Sequence, residues 1–185
     1  MSRHWEPMLE QVVAERYARL VARAMLLVRS RADAEDLVQD ALVSTFGGRA
    51  RFRSVEQAEQ YVRRAIVSRF IDRTRHDAVE HAALERASAL ADPVVGEPAA
   101  HGLPEELRAA LARLSPRQRA CVVLRHVDDL SVRETATLLG LSEGAVKRYV
   151  ADGVGTLNAL LGTTSTTSDG APVRLVPTPE VRHDA

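Results

Sequence analysis

The chain has 185 residues, 45% of them hydrophobic and only 4% aromatic, enough for one large or two small cores. Its dominance by Ala, Leu, Val and Arg favours helices over sheets. The 25 basic and 25 acidic side chains cancel, which at first argues against a nucleic-acid binder. A single cysteine, Cys121 in the run CVVL, excludes an internal disulfide and reads as a small buried hydrophobe. Met1 to Pro7 is polar, not a signal peptide. No apolar run approaches the roughly 20 residues of a membrane span, so a soluble, cytoplasmic protein is expected.

In chain order, Pro7 suits a first helical turn, and Met8 to Val28 carries Leu9, Val12, Val13, Tyr17, Leu20, Val21, Ala24, Leu27 and Val28 at helical spacing. Ser30, Arg31 and Ala32 break that helix. A second, Asp33 to Phe46, has the apolar stripe Ala34, Leu37, Val38, Ala41, Leu42 and Thr45. Glu35, Asp36, Gln39 and Asp40 lie off the stripe and form an exposed acidic face. Gly47 and Gly48 end the helix ahead of a basic loop, Gly-Gly-Arg-Ala-Arg-Phe-Arg, with an aromatic inside it.

Ser54 with Gln57 forms a capping box that opens a third helix through YVRRAIVSRFIDRTR. Tyr61, Ala65, Ile66, Phe70 and Ile71 are expected to turn inward and the arginines outward. From Tyr61 to Arg75 there are five arginines (63, 64, 69, 73, 75) against Asp72 alone, whereas from His76 to Ala110 there are two arginines against seven acids. Zero net charge therefore conceals a basic block followed by an acidic one. A basic face after an Arg-Phe-Arg loop suits a phosphate backbone with unpaired bases, because cations track the strand while aromatics stack. The alternative is a merely solvated surface.

A weak helix extends toward Leu90, and ADPVVGEPAAHG reads as a linker and domain boundary. Pro104 to Leu114 resumes as helix. Ser115 caps the next, PRQRACVVLRHV, with Pro116 at its first position. Asp128 and Asp129 turn into Ser131 to Leu161, where Ser131 and Glu134 form a capping box, Gly140 suits a left-handed helix end and Ser142 caps the following helix. Counted from Val132, Ala136 falls at five, Gly140 at nine and Val146 at fifteen, the places where two steeply crossing helices need a close approach, a turn and a plug. This is a helix-turn-helix whose second helix would carry Glu143, Lys147, Arg148 and Tyr149 into a DNA major groove. A plain helical hairpin is the alternative. Beyond Gly162 the Thr-, Ser- and Pro-rich tail reads as disordered.

No Gly-rich phosphate loop, HExxH, CxxC or nucleophile elbow is present. Glu180 and His183 have ExxH spacing in a Pro-flanked tail, where a di-metal site has no bundle to form in. His76 and His81 flank Glu80 without a third ligand. No enzyme, metal or cofactor is expected.

With these pieces in order, the chain resembles the extracytoplasmic-function type of bacterial RNA polymerase sigma factor over about Leu9 to Leu161. The matching stretches are AEDLVQDAL (34–42), the RFR–YVRRAI–D–R series ending at Arg75, and LSPRQRACVVLRHVDDLSVRETATLLGLSEGAVK (114–147). The resemblance implies an all-α fold of two small helical domains: 1–76 for core polymerase and the promoter −10 element, and 104–161, the helix-turn-helix domain, for the −35 element. A flexible acidic linker, 77–103, would thread the polymerase active-site channel, and 162–185 has no counterpart.

Residue by residue, Asp36, Gln39 and Asp40 fall where such proteins dock on the polymerase clamp. Phe46 stands where an aromatic, commonly Trp, is usual. Arg51, Phe52 and Arg53 lie in the strand-opening loop, and Arg63, Arg64, Arg69 and Arg73 on the −10 helix. Ser68 replaces a frequent Asn at the −10 base contact. Ser142, Glu143, Lys147, Arg148 and Tyr149 mark the −35 helix, where relatives carry Ser and several arginines. Its charges cancel, and Gly153 and Gly155 weaken it. The implied partners are core RNA polymerase, promoter DNA and an anti-sigma factor. Two other readings remain at this point: a stand-alone helix-turn-helix regulator, and a sigma-like interaction module with decayed DNA contacts.

Overall fold

The computed structural model describes residues 5–48, 51–84 and 104–163. Among them every regular element is a helix: α1 (Glu6–Ala24), α2 (Arg31–Phe46), α3 (Val55–Leu84), α4 (Glu105–Ala112), α5 (Pro116–His126), α6 (Val132–Leu139) and α7 (Glu143–Leu161). The chain divides into two compact units, Met1–Gly102 and Leu103–Ala185. The linker beyond residue 84 and the tail beyond Thr163 lie outside the described residues, as does the extension of the third helix to Leu90.

In the first unit α1, α2 and α3 pack on one another pairwise. Their shared core holds Val12, Leu20 and Leu27 from the α1 segment, Leu37, Val38 and Phe46 from α2, and Val62, Ile66 and Val67 from α3, each essentially withdrawn from solvent. A Leu or Phe so buried contributes about 1.5–3 kcal/mol relative to an exposed one. The inward stripe of α3 is Val55, Ala58, Glu59, Val62, Ile66, Val67 and Phe70, a spacing of three and four that fits one helical face.

Several local expectations shift. The first helix begins at Glu6 and ends at Ala24, and turns at 25–27 carry Leu26 and Leu27 into the core. Ser30 starts the second helix, its hydroxyl accepting the Asp33 N–H at 3.0 Å, so α2 opens at Arg31 and includes Ala32. At Ser54 the hydroxyl accepts from Gln57 N, but Gln57 Oε1 accepts from Arg53 N at 2.8 Å, one residue upstream of a true box. Tyr61 does not turn inward: it is 50% exposed. Its neighbour Val62 takes the core position, roughly 100° away around the helix.

The second unit packs α4, α5 and α6 against α7, with α5 also touching α6. Ser115 with Gln118 and Ser131 with Glu134 both form complete capping boxes. Gly140 ends α6 at φ 61°, and Ser142 caps α7 by accepting from Ala145 N at 3.1 Å. Val146 is fully buried and Ala136 nearly so, which is the close approach and plug of a helix-turn-helix. Cys121 is buried and unpaired; burial pushes its thiol up to about 11, so it packs as an inert hydrophobe. Arg119 is buried as well, and its guanidinium donates to the Leu114 carbonyl at 3.2 Å, tying the turn that follows α4 to α5.

Candidate nucleic-acid interface

Three groups of surface side chains follow from this packing. The first lies on α2. With Ala34, Leu37, Val38 and Ala41 fully buried, the helix turns Asp36, Gln39 and Asp40 outward. Val43, the next residue along that stripe, is 72% exposed. The sequence reading missed it, although its spacing of four from Gln39 was the available signal. Asp40 is not isolated, because Arg73 of α3 donates to its Oδ2.

The second group surrounds the loop before α3. Arg51 and Arg53 are exposed. Phe52 sits between two rings, with centroids 5.3 Å from both Phe46 and Tyr61 and interplanar angles of 65° and 60°. Edge-to-face contacts of this kind add about 0.5–1.5 kcal/mol each beyond burial. Phe46, expected at the DNA, is 2% exposed and forms the inner rung of this ladder. Its ring supports Phe52 from within the core, and Tyr61 is the rung that faces solvent.

The arginines of α3 are not one uniform outward face. Arg69 is exposed, while Arg64 and Ser68 are half-buried. Arg63 is tied to Glu59, a carboxylate only 6% exposed whose other oxygen lies 3.2 Å from Arg16 Nε of α1 as an ion pair. Arg16 also reaches Glu56 at 3.3 Å. Backbone and Ser54 hydrogen bonds, with this guanidinium, hold the Glu56 carboxyl below its ordinary value. Arg63 is thus part of a staple between α1 and α3.

The third group is the outer face of α7. Glu143, Gly144, Lys147, Arg148, Ala151, Asp152 and Gly155 are exposed, whereas Val146, Val150, Gly153 and Val154 are buried. Ser142 is exposed, with its hydroxyl engaged in the cap. Tyr149 is half-buried, and the Arg148 guanidinium lies 5.5 Å from its ring centroid, a cation–π distance. Lys147 and Arg148 therefore project together from a helix backed by α5 and α6.

Two family models match these same units: Sigma-70 region 2 over residues 13–79 and Sigma-70, region 4 over residues 104–157. An RNA polymerase sigma-E factor of Streptomyces avermitilis is 35% identical over 141 residues, 75% of this chain and 76% of the relative. The chain belongs to the extracytoplasmic-function group of the sigma-70 family. The ECF RNA polymerase sigma factor SigM of Mycobacterium tuberculosis is 32% identical over 155 residues, 83% of this chain and 76% of that protein. In fold, the sigma factor resembles RpoE of Bartonella quintana, solved in complex with the anti-sigma factor NepR. The TM-score is 0.62 at 24% identity, over 83% of this chain and 96% of the other.

The match over residues 13–79 removes the stand-alone helix-turn-helix regulator, which has no use for that unit. The sigma factor serves transcription initiation. Among the described residues no helix is long and apolar enough to cross a membrane, and no group of His, Cys, Asp and Glu could hold a metal ion.

Proposed function

We propose that this sigma factor binds core RNA polymerase through the α2 stripe Asp36–Gln39–Asp40 and reads promoters with two separate surfaces. Arg51, Phe52, Arg53 and the outer side of α3, with Arg64, Ser68, Arg69 and Arg73, meet the −10 element and its opened strand. Lys147 and Arg148 on α7 meet the −35 element. On this reading 1–76 and 104–161 are the two working domains, and 77–103 joins them.

The observation that carries the proposal is the exposure pattern of α7. A helix with its plug Val146 fully buried leaves Lys147 and Arg148 outward, as a recognition helix requires. Exposed Glu143 and Asp152 balance those cations, which favours a weak −35 contact and promoters chosen mainly through −10. The protein works in the cytoplasm, where the polymerase is, without enzymatic chemistry of its own. An anti-sigma factor is the natural regulator, by likeness to the Bartonella complex.

Run-off transcription with purified core polymerase and a genomic promoter library tests the proposal. Expected are transcripts from a small promoter set sharing a −10 motif. An absence of sigma-dependent transcripts, with the chain bound to core, would favour the interaction-module reading instead.

A further inference from the structure

The α2 face and the α3 face are joined by a side-chain contact that neither proposed partner can share. Arg73 of α3 donates through Nη2 to Oδ2 of Asp40, 33 positions earlier on α2. The Asp40 side chain is 55% exposed and that of Arg73 38%, so both are reachable by a partner. Asp36, exposed one turn earlier on the same helix, makes no ion pair among the described residues.

We infer that the Asp40–Arg73 ion pair couples polymerase docking to DNA binding: the free sigma factor holds Arg73 against its own docking carboxylate, and polymerase, by engaging Asp40, hands Arg73 to a DNA phosphate. The inference rests on the proposed roles of the two faces. A guanidinium sitting on a carboxylate is neutralised toward phosphate, and a carboxylate carrying a guanidinium is neutralised toward a cationic partner. Each partner that displaces the pair removes a competitor of the other, so the coupling is positive and reciprocal in binding free energy. Exposed pairs are weak and screened by salt, which limits the effect to about fivefold at low ionic strength. That is a bias on promiscuous DNA contact by the free subunit, not an absolute lock.

The test is a double-mutant cycle on the full chain without polymerase, read by fluorescence anisotropy with labelled single-stranded DNA of mixed sequence at low salt. Asp40→Asn keeps the shape and removes the charge; Arg73→Gln keeps the aliphatic stem; Asp36→Asn controls for the same charge change on the same face. Melting curves check that each variant is folded. Asp40→Asn is expected to tighten DNA binding by up to about fivefold, clearly more than Asp36→Asn. In the Arg73→Gln background that gain falls to the Asp36→Asn level, and it shrinks as salt is raised.

Equal gains from Asp40→Asn in both backgrounds would overturn the coupling. If Arg73→Gln weakens DNA binding by the same factor in the wild-type and Asp40→Asn backgrounds, the −10 role of Arg73 stands and only the coupling fails. If Arg73→Gln leaves DNA affinity unchanged in both, Arg73 is off the DNA face, and its −10 role and the coupling fall together.

Discussion

Gly153 and Gly155 lie two residues apart in the interior of α7, and the structure assigns them opposite responses to the same substitution. A Cβ at Gly153 would lie 2.8 Å from Val122 Cγ2 of α5, with Gln118 Cβ at 3.6 Å and Gln118 O at 3.7 Å. A Cβ at Gly155 would meet nothing within 4 Å. Replacing either glycine by alanine in a helix interior gains about 1 kcal/mol of helix propensity. At Gly155 that gain is realised. At Gly153 the new methyl must displace Val122, which is 6% exposed. A β-branched side chain in a helix has one strongly preferred rotamer, so Val122 cannot turn aside freely, and overpacking costs about 1–3 kcal/mol.

Gly155→Ala should therefore stabilise the second unit by about 1 kcal/mol. Gly153→Ala should lie between neutrality and a loss of about 2 kcal/mol, the overpacking cost less the propensity gain. In a unit of this size each kcal/mol moves the melting midpoint by roughly 4–8 °C, so calorimetry of the full chain separates the two variants. Because α7 carries Lys147 and Arg148, Gly153→Ala should also lower transcription from −35-dependent promoters without altering the exposed face. If Gly153→Ala raises the midpoint as much as Gly155→Ala, α7 does not approach α5 at this point and the placement of the recognition helix is wrong.

Asp36→Arg combined with Asp40→Arg should abolish co-purification with core polymerase at unchanged helicity; a double variant that still binds removes the α2 face from docking. Phe52→Ala should slow promoter opening and, since its ring bridges Phe46 and Tyr61, destabilise the first unit by about 1–3 kcal/mol. Permanganate footprints equal to wild type at a temperature where both are folded would take Phe52 out of strand opening. Arg148→Ala should reduce transcription from promoters that need a −35 element and spare those with a strong extended −10, as judged by paired run-off assays. Equal losses on both classes would mean a general phosphate contact. His126 is depressed below its ordinary value of 6.5 by burial and by the Arg125 charge. The unfolded chain then binds that proton more readily, so the second unit should lose stability as pH falls below about 6.5. His126→Gln should flatten that dependence in urea titrations at pH 7 and below; an unchanged slope would exclude His126 as its source.

What the sequence disclosed well was local. In the second unit the starts of α5 and α6 are fixed by residues three apart, Ser115 with Gln118 and Ser131 with Glu134, and the turn by Gly140, so reading along the chain sufficed. Position around a long helix was harder. Tyr61 and Val62 both offer apolar bulk, and the larger ring drew the inward assignment, whereas the stripe from Val55 through Ala58 and Glu59 to Val62 puts Tyr61 outside. Gly153 read as a weakness of α7, because a close approach to Val122 is visible only once α5 and α7 are packed.

The arginines of α3 separate two kinds of missing information. The Glu59–Arg63 pair has i, i+4 spacing and was legible in principle; counting charge from Tyr61 onward left its acidic partner out. The Asp40–Arg73 pair spans 33 positions and has no signature in one dimension. Counting cations overstates the free positive charge of such a helix, since Arg63 and Arg73 already face a carboxylate. The two pairings differ in consequence. Glu59 is buried between two guanidiniums, and breaking a buried carboxylate's pairs is strongly unfavourable, so Arg63 stays with the scaffold. Asp40 and Arg73 are exposed, and an exposed pair yields to any partner that offers either member a better contact. On the proposed −10 role of α3, the depth of the carboxylate, rather than the number of arginines, then sets which cations can be released to DNA.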